Sequence, residues 1–378
     1  MRNFHITTIW GIPIKVNISR VIFLPVLAWL ISSTAQIEVY AGIVSSLAGT
    51  QLDLARLQAG STPWLIGSAA AIGLFASVAL HELGHSYAAM RYGLETESIT
   101  LWILGGLASF KTMPREWNRE FWIAVAGPIT SILVGLACYG MLLVLPASAT
   151  VTLFVVGWLA VTNVVLAVFN MLPAFPMDGG RVLRALLARN RPYASATRIA
   201  ARIGTAFAVL FAVVGVLSFS PLLLLLALFI YGAATGESRT VALADLLEGL
   251  TVGDVARPAA STIEASAHVE ELVDRMFADR STEFTVTDGG EVVGVVTVRD
   301  FRALSQAERE ADTVADLMET DLPRFEERMS AFDALVALDT GGTGAALVDG
   351  PAGTRVVSRE DFSSAMEMRR LVGDSGPF

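Results

Sequence analysis

The chain has 378 residues, of which 53% are hydrophobic and 17% charged. Soluble domains carry about a quarter charged residues, so this composition excludes a protein that is soluble along its whole length. The charge is also unevenly divided. Residues 1–236 hold 8 acidic and 14 basic residues, whereas residues 237–378 hold 28 acidic and 13 basic residues. The first part is therefore suited to lipid and the second to water.

Six apolar segments of the first part are long enough to cross a bilayer, which takes about 20 residues. In chain order they are 19–36, 64–91, 119–146, 150–172, 194–217 and 219–235. All basic residues of this part except Arg56 fall on one side of these spans. That side is cytoplasmic by the positive-inside rule. We therefore expect a multi-pass protein of the cell membrane whose termini and acidic part are cytoplasmic.

The second predicted span ends in a charged cluster, the segment His81-Glu82-Leu83-Gly84-His85. Ionisable groups at membrane depth are costly and usually mark a functional site. Positions i and i+4 share one face of a helix, so both imidazoles can reach one metal ion. The H-E-x-x-H spacing is that of a zinc site with the glutamate as general base. On a soluble helix the same pattern is common by chance.

A catalytic zinc site usually takes three protein ligands, so a third ligand is needed. Asp178 is the best candidate, because it is the only acidic residue between Glu120 and Glu237. It follows the fourth span in a segment that Pro173 and Pro176 prevent from being a regular helix. Irregular backbone at membrane depth is tolerated where it is buried or lines a watery cavity. The two motifs can therefore meet at one depth.

H-E-x-x-H together with N-x-x-P-x-x-P-x-D-G-G-R at residues 170–181 resembles the site-2 protease family of intramembrane zinc metalloproteases. The resemblance covers about residues 1–235. It implies one Zn²⁺ per chain held by His81, His85 and Asp178, with Glu82 as the general base. It also implies that Asn170 lies near the reacting carbonyl. The alternative for Asn170 is a helix C-cap before the following proline.

Two positions depart from the family pattern. Ser131 follows a Gly-Pro pair where the family commonly has asparagine, and Asn17 stands where it commonly has histidine. We expect neither residue to touch the ligand set.

The segment 95–110 alternates in part and contains β-branched residues. This pattern predicts a strand or hairpin at the membrane edge. A transmembrane helix must unwind locally before it can be cut, and an unwound substrate could then add to such an edge as an extra strand.

The acidic part contains an internal repeat. Asp254 and Asp316 are 62 residues apart, and Asp300 and Asp361 are 61 apart, each pair in matching motifs. Such regularity predicts two copies of one α/β unit. The region resembles a tandem pair of CBS domains. The predicted division is a linker at 237–249, the pair at 250–366 with copies at about 250–305 and 312–366, and a tail at 367–378.

Each CBS-like copy contains a T/S-x-x-D motif, formed by Thr297 with Asp300 and by Ser358 with Asp361. The resemblance implies that these residues hold an adenine nucleotide, ATP or AMP. The alternative is that the pair only forms a homodimer and that these residues cap helices. The excess of acidic residues opposes nonspecific nucleic-acid binding, which needs a basic surface.

Together these features predict a polytopic α-helical membrane protein of about six transmembrane helices with a cytoplasmic α/β tandem CBS domain. The expected function is a zinc-dependent intramembrane endopeptidase that cleaves transmembrane segments of membrane-anchored proteins and is modulated by the CBS pair. One alternative is a CBS-regulated transporter, in which H-E-x-x-H would have no role. Another is a catalytically silent membrane scaffold, which would not need to retain Glu82.

Overall fold

The computed structural model describes residues 3–102, 105–110, 115–256, 261–279, 281–298, 300, 313–351 and 353–373. Some predicted segments therefore lie partly outside the described residues, namely 103–104 of the hairpin, 257–260, 280, 299 and 301–305 of the first CBS copy, 312 and 352 of the second copy and 374–378 of the tail. The chain divides into two units, Met1–Arg239 and Thr240–Phe378.

The first unit is mainly helical. Its described helices are α1 (Ile18–Ile31), α2 (Thr34–Ala48), α3 (Leu54–Leu57), α4 (Thr62–Arg91), α5 (Trp117–Val144), α6 (Thr150–Asn170), α7 (Asp178–Ala188), α8 (Tyr193–Leu217) and α9 (Pro221–Leu246). Five of them are long and apolar enough to cross a membrane, namely α4, α5, α6, α8 and α9. They correspond to the second to sixth predicted spans. Helix α9 continues past the boundary between the units as far as Leu246.

The first predicted span, 19–36, differs in the structure, where it is divided between α1 and α2. These two helices pass the length and hydropathy test as a pair but are bent by 71° at their junction. Ser32 ends α1, and its hydroxyl donates to the carbonyl of Trp29, 2.8 Å away. Ser33 has extended backbone and begins α2. Serine favours helix ends, and the apolar character of the segment hid this break.

A four-stranded sheet lies beside the helices, with strand order β1-β2-β3-β4. Its strands are β1 (Asn3–Ile9), β2 (Ile12–Asn17), β3 (Thr96–Trp102) and β4 (Gly105–Phe110). The hairpin expected in residues 95–110 is present as the antiparallel pair β3 and β4. The hairpin β1–β2 was not predicted. Its turn residues, Trp10 and Gly11, both have positive φ, as a tight two-residue hairpin turn requires.

The sheet packs directly on the H-E-x-x-H segment. Leu83, between the two histidines, is buried in a cluster with Ile12 and Ile14 of β2 and Ile99 and Leu101 of β3. Strands β2 and β3 are parallel neighbours, so they present these side chains side by side. Leu83 thus fixes the face of α4 opposite to the one needed for metal binding.

The second unit repeats one arrangement twice, as the sequence predicts. The first half contains α10 (Val252–Val255), β5 (Thr262–Glu264), α11 (Val269–Asp279), β6 (Glu283–Asp288) and β7 (Glu291–Thr297). The second half contains α12 (Val314–Leu317), β8 (Arg324–Glu326), α13 (Ala331–Gly341), β9 (Ala345–Gly350), β10 (Gly353–Ser358) and α14 (Arg359–Gly373). In each half a short strand pairs in parallel with the first strand of an antiparallel hairpin.

The two halves exchange their short leading helices. Val252 of α10 is buried in the core of the second half, and its backbone N–H donates to the carbonyl of Met329 over 2.8 Å. Val314 of α12 is buried in the core of the first half, and its N–H donates to the carbonyl of Ala267 over 2.9 Å. Each half therefore completes the core of the other.

Candidate metal centre

Helix α4 carries the first two candidate ligands near its end. His81 and His85 are one helical turn apart and are 4% and 5% exposed. Their ring nitrogens Nε2 lie 3.2 Å apart. The 17 residues from Trp64 to Leu80 contain no charged residue, so the helix delivers these imidazoles from an apolar segment into the interior of the unit.

Asp178 is the first residue of α7, and its side chain reaches both histidines. Its Oδ2 lies 3.1 Å from His81 Nε2, and its Oδ1 lies 3.3 Å from His85 Nε2. His81 and Asp178 are 97 residues apart in the chain. The fold thus brings together the three residues that the family resemblance implies as ligands.

The spacing of these atoms suits a metal ion. Ligand atoms from all three residues lie within 4.8 Å of one another. Zinc binds imidazole nitrogen and carboxylate oxygen at about 2.0–2.2 Å, so tetrahedral neighbours lie about 3.3 Å apart. The two Nε2 atoms lie 3.2 Å apart, and each lies 3.1–3.3 Å from one oxygen of Asp178, Oδ2 for His81 and Oδ1 for His85, so each of these separations is close to that value. Two imidazoles and one carboxylate are also a donor set that catalytic zinc accepts.

The other ring nitrogen of each histidine is bonded to helix α5. His85 Nδ1 lies 2.7 Å from the backbone carbonyl of Ile123, which can only accept. His81 Nδ1 lies 2.9 Å from Ser131 Oγ. A partner at Nδ1 orients the imidazole and leaves Nε2 with its lone pair free to bind a metal. The expectation that Ser131 does not touch the ligand set is therefore wrong, because the serine replaces the usual asparagine beside a histidine.

Helix α5 approaches the histidines at a glycine. A Cβ atom built at Gly127 would overlap the imidazole of His85 and lie 2.7 Å from His81 Nε2. Gly84 of α4 faces α5 in the same way, since its Cβ would lie 2.8 Å from the carbonyl oxygen of Ala126. Two glycines thus let α4 and α5 approach closely enough for Ile123 and Ser131 to bond the imidazoles.

Glu82 lies between the two histidines on α4 and is 9% exposed. Within the described parts of the chain its carboxylate has no hydrogen-bond or ion-pair partner. A buried carboxylate that is not used in the protein's own bonds is available to a water molecule or a substrate. This is what the expected general base requires.

Asn170 is the last residue of α6 and is half-buried. Its side-chain amide donates to the carbonyl of Leu166, 3.0 Å away. Among the described residues it makes no hydrogen bond to the three metal-site residues. The C-cap of α6 is Met171, so the alternative of Asn170 as the C-cap is wrong, and the Asn170 bond is made within the last turn of the helix.

The glycines after Asp178 pack against the loop between α6 and α7. A Cβ at Gly179 would overlap the backbone of Met171 and Leu172, and one at Gly180 would lie 2.7 Å from the backbone nitrogen of Phe175. The first turn of α7 and the preceding loop are therefore in direct backbone contact, which holds Asp178 in place.

The candidate nucleotide residues of the second unit bond locally. Asp300 Oδ2 accepts from the N–H and hydroxyl of Thr297 at 2.8 and 2.7 Å. Asp361 Oδ2 accepts in the same way from Ser358 at 2.8 and 3.1 Å. Thr297 and Asp300 are half-buried, whereas Ser358 and Asp361 are only 5% and 8% exposed.

The same arrangement recurs at two further helix starts. Thr251 with Asp254 and Thr313 with Asp316 form capping boxes. The N–H and hydroxyl of each threonine hold the pKa of the aspartate below its usual value. At these four pairs the aspartate therefore bonds in the manner of a helix cap.

Comparison with known proteins agrees with this geometry. The family model described as Peptidase family M50 matches residues 69–154 and 146–211. The zinc metalloprotease MJ0392 of Methanocaldococcus jannaschii is 31% identical over 311 residues, which cover 79% of this chain and 85% of that protein. The chain belongs to peptidase family M50. This family is that of the site-2 proteases, as the sequence resemblance indicates.

Two solved structures are similar to parts of this M50 protein. The site-2 protease from M. jannaschii is 33% identical, with a TM-score of 0.43, and covers 63% of this chain and 96% of that one. The CBS domain of the bacterial CNNM/CorC family Mg²⁺ transporter is 23% identical, with a TM-score of 0.30, and covers 34% of this chain and 82% of that one. The CBS family model matches residues 252–306. The protein is thus an M50 metalloprotease homologue with a CBS region.

Proposed function

We propose that this protein is a zinc-dependent intramembrane endopeptidase that cleaves transmembrane segments of membrane-anchored proteins. Its membership of the M50 family supports a metalloprotease. The observation that carries the proposal is the meeting of His81, His85 and Asp178 within 4.8 Å. It occurs in a unit with five helices long and apolar enough to cross a membrane, or six if the bent pair counts as one span.

His81, His85 and Asp178 are the proposed ligands of one Zn²⁺ per chain. When bound, zinc supplies a Lewis acid that polarises a carbonyl and makes water acidic enough to react near neutral pH. The protein's part is to fix the ligand atoms. Ser131 and the carbonyl of Ile123 orient the two imidazoles from outside, and α7 presents the carboxylate.

Glu82 is the proposed general base. Its carboxylate takes a proton from the attacking water and delivers it to the amine that leaves. Asn170 is proposed to donate a hydrogen bond to the oxygen of the reacting carbonyl. A side-chain amide has two donors, and the bond to Leu166 uses one of them.

The proposed substrate site includes the edge of the four-stranded sheet. Strand β4 is the last strand in the order and, among the described residues, has a neighbour on one side only. An unwound segment of a transmembrane protein can pair with such an edge through backbone hydrogen bonds. The sheet packs on the Leu83 face of α4, so the paired peptide would lie beside this helix and would extend past it to reach the histidines on the opposite face.

We propose that the protein lies in the cell membrane with both termini and the CBS region on the cytoplasmic side. The distribution of basic residues supports this orientation. Arginines cluster after α6 at positions 181, 184, 189, 191, 198 and 202, whereas the opposite loops contain only Arg56.

The CBS region is proposed to bind an adenine nucleotide, ATP or AMP, and to modulate proteolysis. Thr297 and Asp300 are the better candidate residues, because they are half-buried whereas Ser358 and Asp361 are almost fully enclosed. The hydroxyl and carboxylate of Thr297 and Asp300 would then exchange their mutual bond for bonds to a ribose. The CBS pair is also the proposed contact for a homodimer.

The proposed activity is tested with purified full-length protein in detergent and a single-pass membrane substrate. Cleavage and bound zinc are measured for wild type and Glu82→Gln. The glutamine keeps the shape of the side chain but cannot accept the proton, so we expect zinc to be retained. Cleavage should fall by about 10²–10⁴-fold, the usual contribution of a general base. Equal cleavage by both proteins would contradict the proposed role of Glu82.

A further inference from the structure

A buried arginine lies on α7, six residues after Asp178. Arg184 is 1% exposed and is the largest fully buried side chain among the described residues. A buried charge is strongly destabilising unless it is well paired. The groups that pair with Arg184 therefore identify the helices that make its burial possible.

Three helices meet at the guanidinium of Arg184. Its Nε donates to Glu120 Oε1 over 2.7 Å, and its Nη2 lies 2.5 Å from the same oxygen. Its Nη1 donates to Glu237 Oε1. Glu120 lies in the first turn of α5, and Glu237 lies on α9. The planar guanidinium of arginine has five donors in fixed directions, so it can bond two carboxylates at once, whereas lysine is a compact charge on a flexible stem.

Aromatic rings contact the same guanidinium. Its Cζ atom lies 5.0 Å from the ring centre of Phe175 and 4.8 Å from that of Tyr193, at distances typical of cation–π contacts. Phe175 belongs to the loop that precedes Asp178, and Tyr193 begins α8. Arg184 therefore holds both the chain segment that enters α7 and the helix that follows it.

The position of Arg184 affects the position of Asp178, because the start of α7 is closely packed. Gly180 lies against the backbone of Phe175 and Ala174, and Gly204 of α8 packs on the same segment. A displacement of α7 would therefore move Asp178 together with the loop. Metal–ligand distances in a well-formed site lie within about 0.2 Å of their usual values, so a movement of α7 that displaces Asp178 by more than this should weaken metal binding.

The three charged residues differ in exposure. The side chains of Arg184 and Glu120 are 2% and 6% exposed, whereas that of Glu237 is 35% exposed. Glu237 is thus the member that can exchange its bond for water. It lies on α9 two residues before the end of the first unit, and α9 continues from there into the second unit.

We propose that Arg184 is a positioning residue for Asp178, and that Glu237 makes this position depend on the helix leading to the CBS region. The inference rests on the proposed zinc site. By this proposal, a change in the CBS region would alter metal binding through helix α9 and the ion pair between Glu237 and Arg184.

The test is the zinc dissociation constant of the full-length protein in detergent, measured by competition with a chelating dye. Glu237→Gln removes the ion pair but keeps the size of the side chain. Asp245→Asn is the matched control, because Asp245 is exposed on the same helix. We expect Glu237→Gln to weaken zinc binding about tenfold, the lower end of effects from residues that support metal ligands. Asp245→Asn should bind like wild type.

Two further variants separate positioning from simple stabilisation. Glu237→Asp keeps the charge and should recover part of the zinc affinity. Arg184→Lys keeps the charge but loses the fork, and it should bind zinc more weakly than wild type. Thermal unfolding of the zinc-free proteins is measured in parallel.

A lowered unfolding midpoint with an unchanged zinc dissociation constant in both Glu237→Gln and Arg184→Lys would overturn the inference, since the cluster would then only stabilise the fold. Absence of zinc binding by wild type would instead contradict the proposed function, and the inference with it.

Discussion

Asp178 and the capping aspartates of the second unit differ in how far along the chain their partners lie. Asp178 contacts His81, 97 residues away, and His85. The four capping aspartates each bond to a threonine or serine three residues earlier. A bond over three residues stabilises a helix start by itself. A contact between distant segments forms only when the whole unit folds. The Asp178 contacts therefore depend on the tertiary structure of the first unit.

The difference also concerns what surrounds each carboxylate. The Asp178 site is enclosed by two closely packed helices and by a sheet on the far face of α4. Asp254 and Asp316 lie at exposed helix starts. Changes near Asp178 should therefore have large effects on metal binding, whereas changes at the Asp254 and Asp316 caps should alter only the stability of the second unit.

The largest effect is expected from Gly127→Ala. The added Cβ would overlap the imidazole of His85 and displace both histidines. A misplacement of about 1 Å can reduce the rate about 10²-fold, so cleavage should fall by about that factor and zinc affinity should fall too. Gly140→Ala, on the same helix with open space around it, is the control. Wild-type zinc affinity in Gly127→Ala would show that α5 is not in contact with the site.

A smaller effect is expected from Ser131→Ala. The variant removes the oxygen 2.9 Å from His81 Nδ1 and leaves that imidazole without its orienting partner. Removing such a partner typically weakens metal binding 10–100-fold. Chelator competition should show a loss of about tenfold, with Ser46→Ala, exposed on α2, as the control. An unchanged zinc dissociation constant would mean that the carbonyl of Ile123 and the packing orient the histidines without Ser131.

The smallest effect is expected at the caps. Thr251→Ala removes the hydroxyl that bonds to Asp254 and should lower stability by about 0.5–1 kcal/mol at pH 7, because the cap is exposed. The bonds from Thr251 lower the pKa of Asp254 in the folded state. Their contribution is thus present above the unfolded-state pKa of about 3.9 and is lost as the pH falls through the folded-state value.

This prediction is tested by measuring the thermal unfolding midpoint of the second unit in the full-length protein between pH 7 and about pH 3. The difference between Thr251→Ala and wild type should shrink toward the acidic end. Asp321→Asn, at an exposed position, is the control. A difference that is the same at every pH would show that the Thr251 hydroxyl acts independently of the carboxylate.

Much of the first unit could be predicted from the sequence, because its strongest signals are local. A run without charge followed by H-E-x-x-H predicts a helix with two imidazoles on one face, and α4 has this form. Asp178 could be singled out because acidic residues are rare in that part of the chain. The repeat of the second unit was equally visible, since matching motifs recur at a nearly constant interval.

The remaining features depend on packing between distant segments. The contact of Ser131 with His81 follows from the close approach of α4 and α5, which no periodicity encodes. The sequence pattern predicts no helix at α7, because two prolines precede it and two consecutive glycines lie in its first turn. The cluster at Arg184 joins α5, α7 and α9, and its arginine was not distinguishable from the other arginines after α6.

The central claim is that Asp178 completes a metal site whose other ligands lie almost a hundred residues earlier. Its most direct test is the amount of zinc bound by wild type and by Asp178→Asn, purified in detergent and analysed by elemental mass spectrometry. The account predicts one zinc per chain in wild type and little retained zinc in the variant, because a neutral amide is a poor substitute for the carboxylate. Equal zinc content and equal resistance to a chelator in both proteins would contradict it.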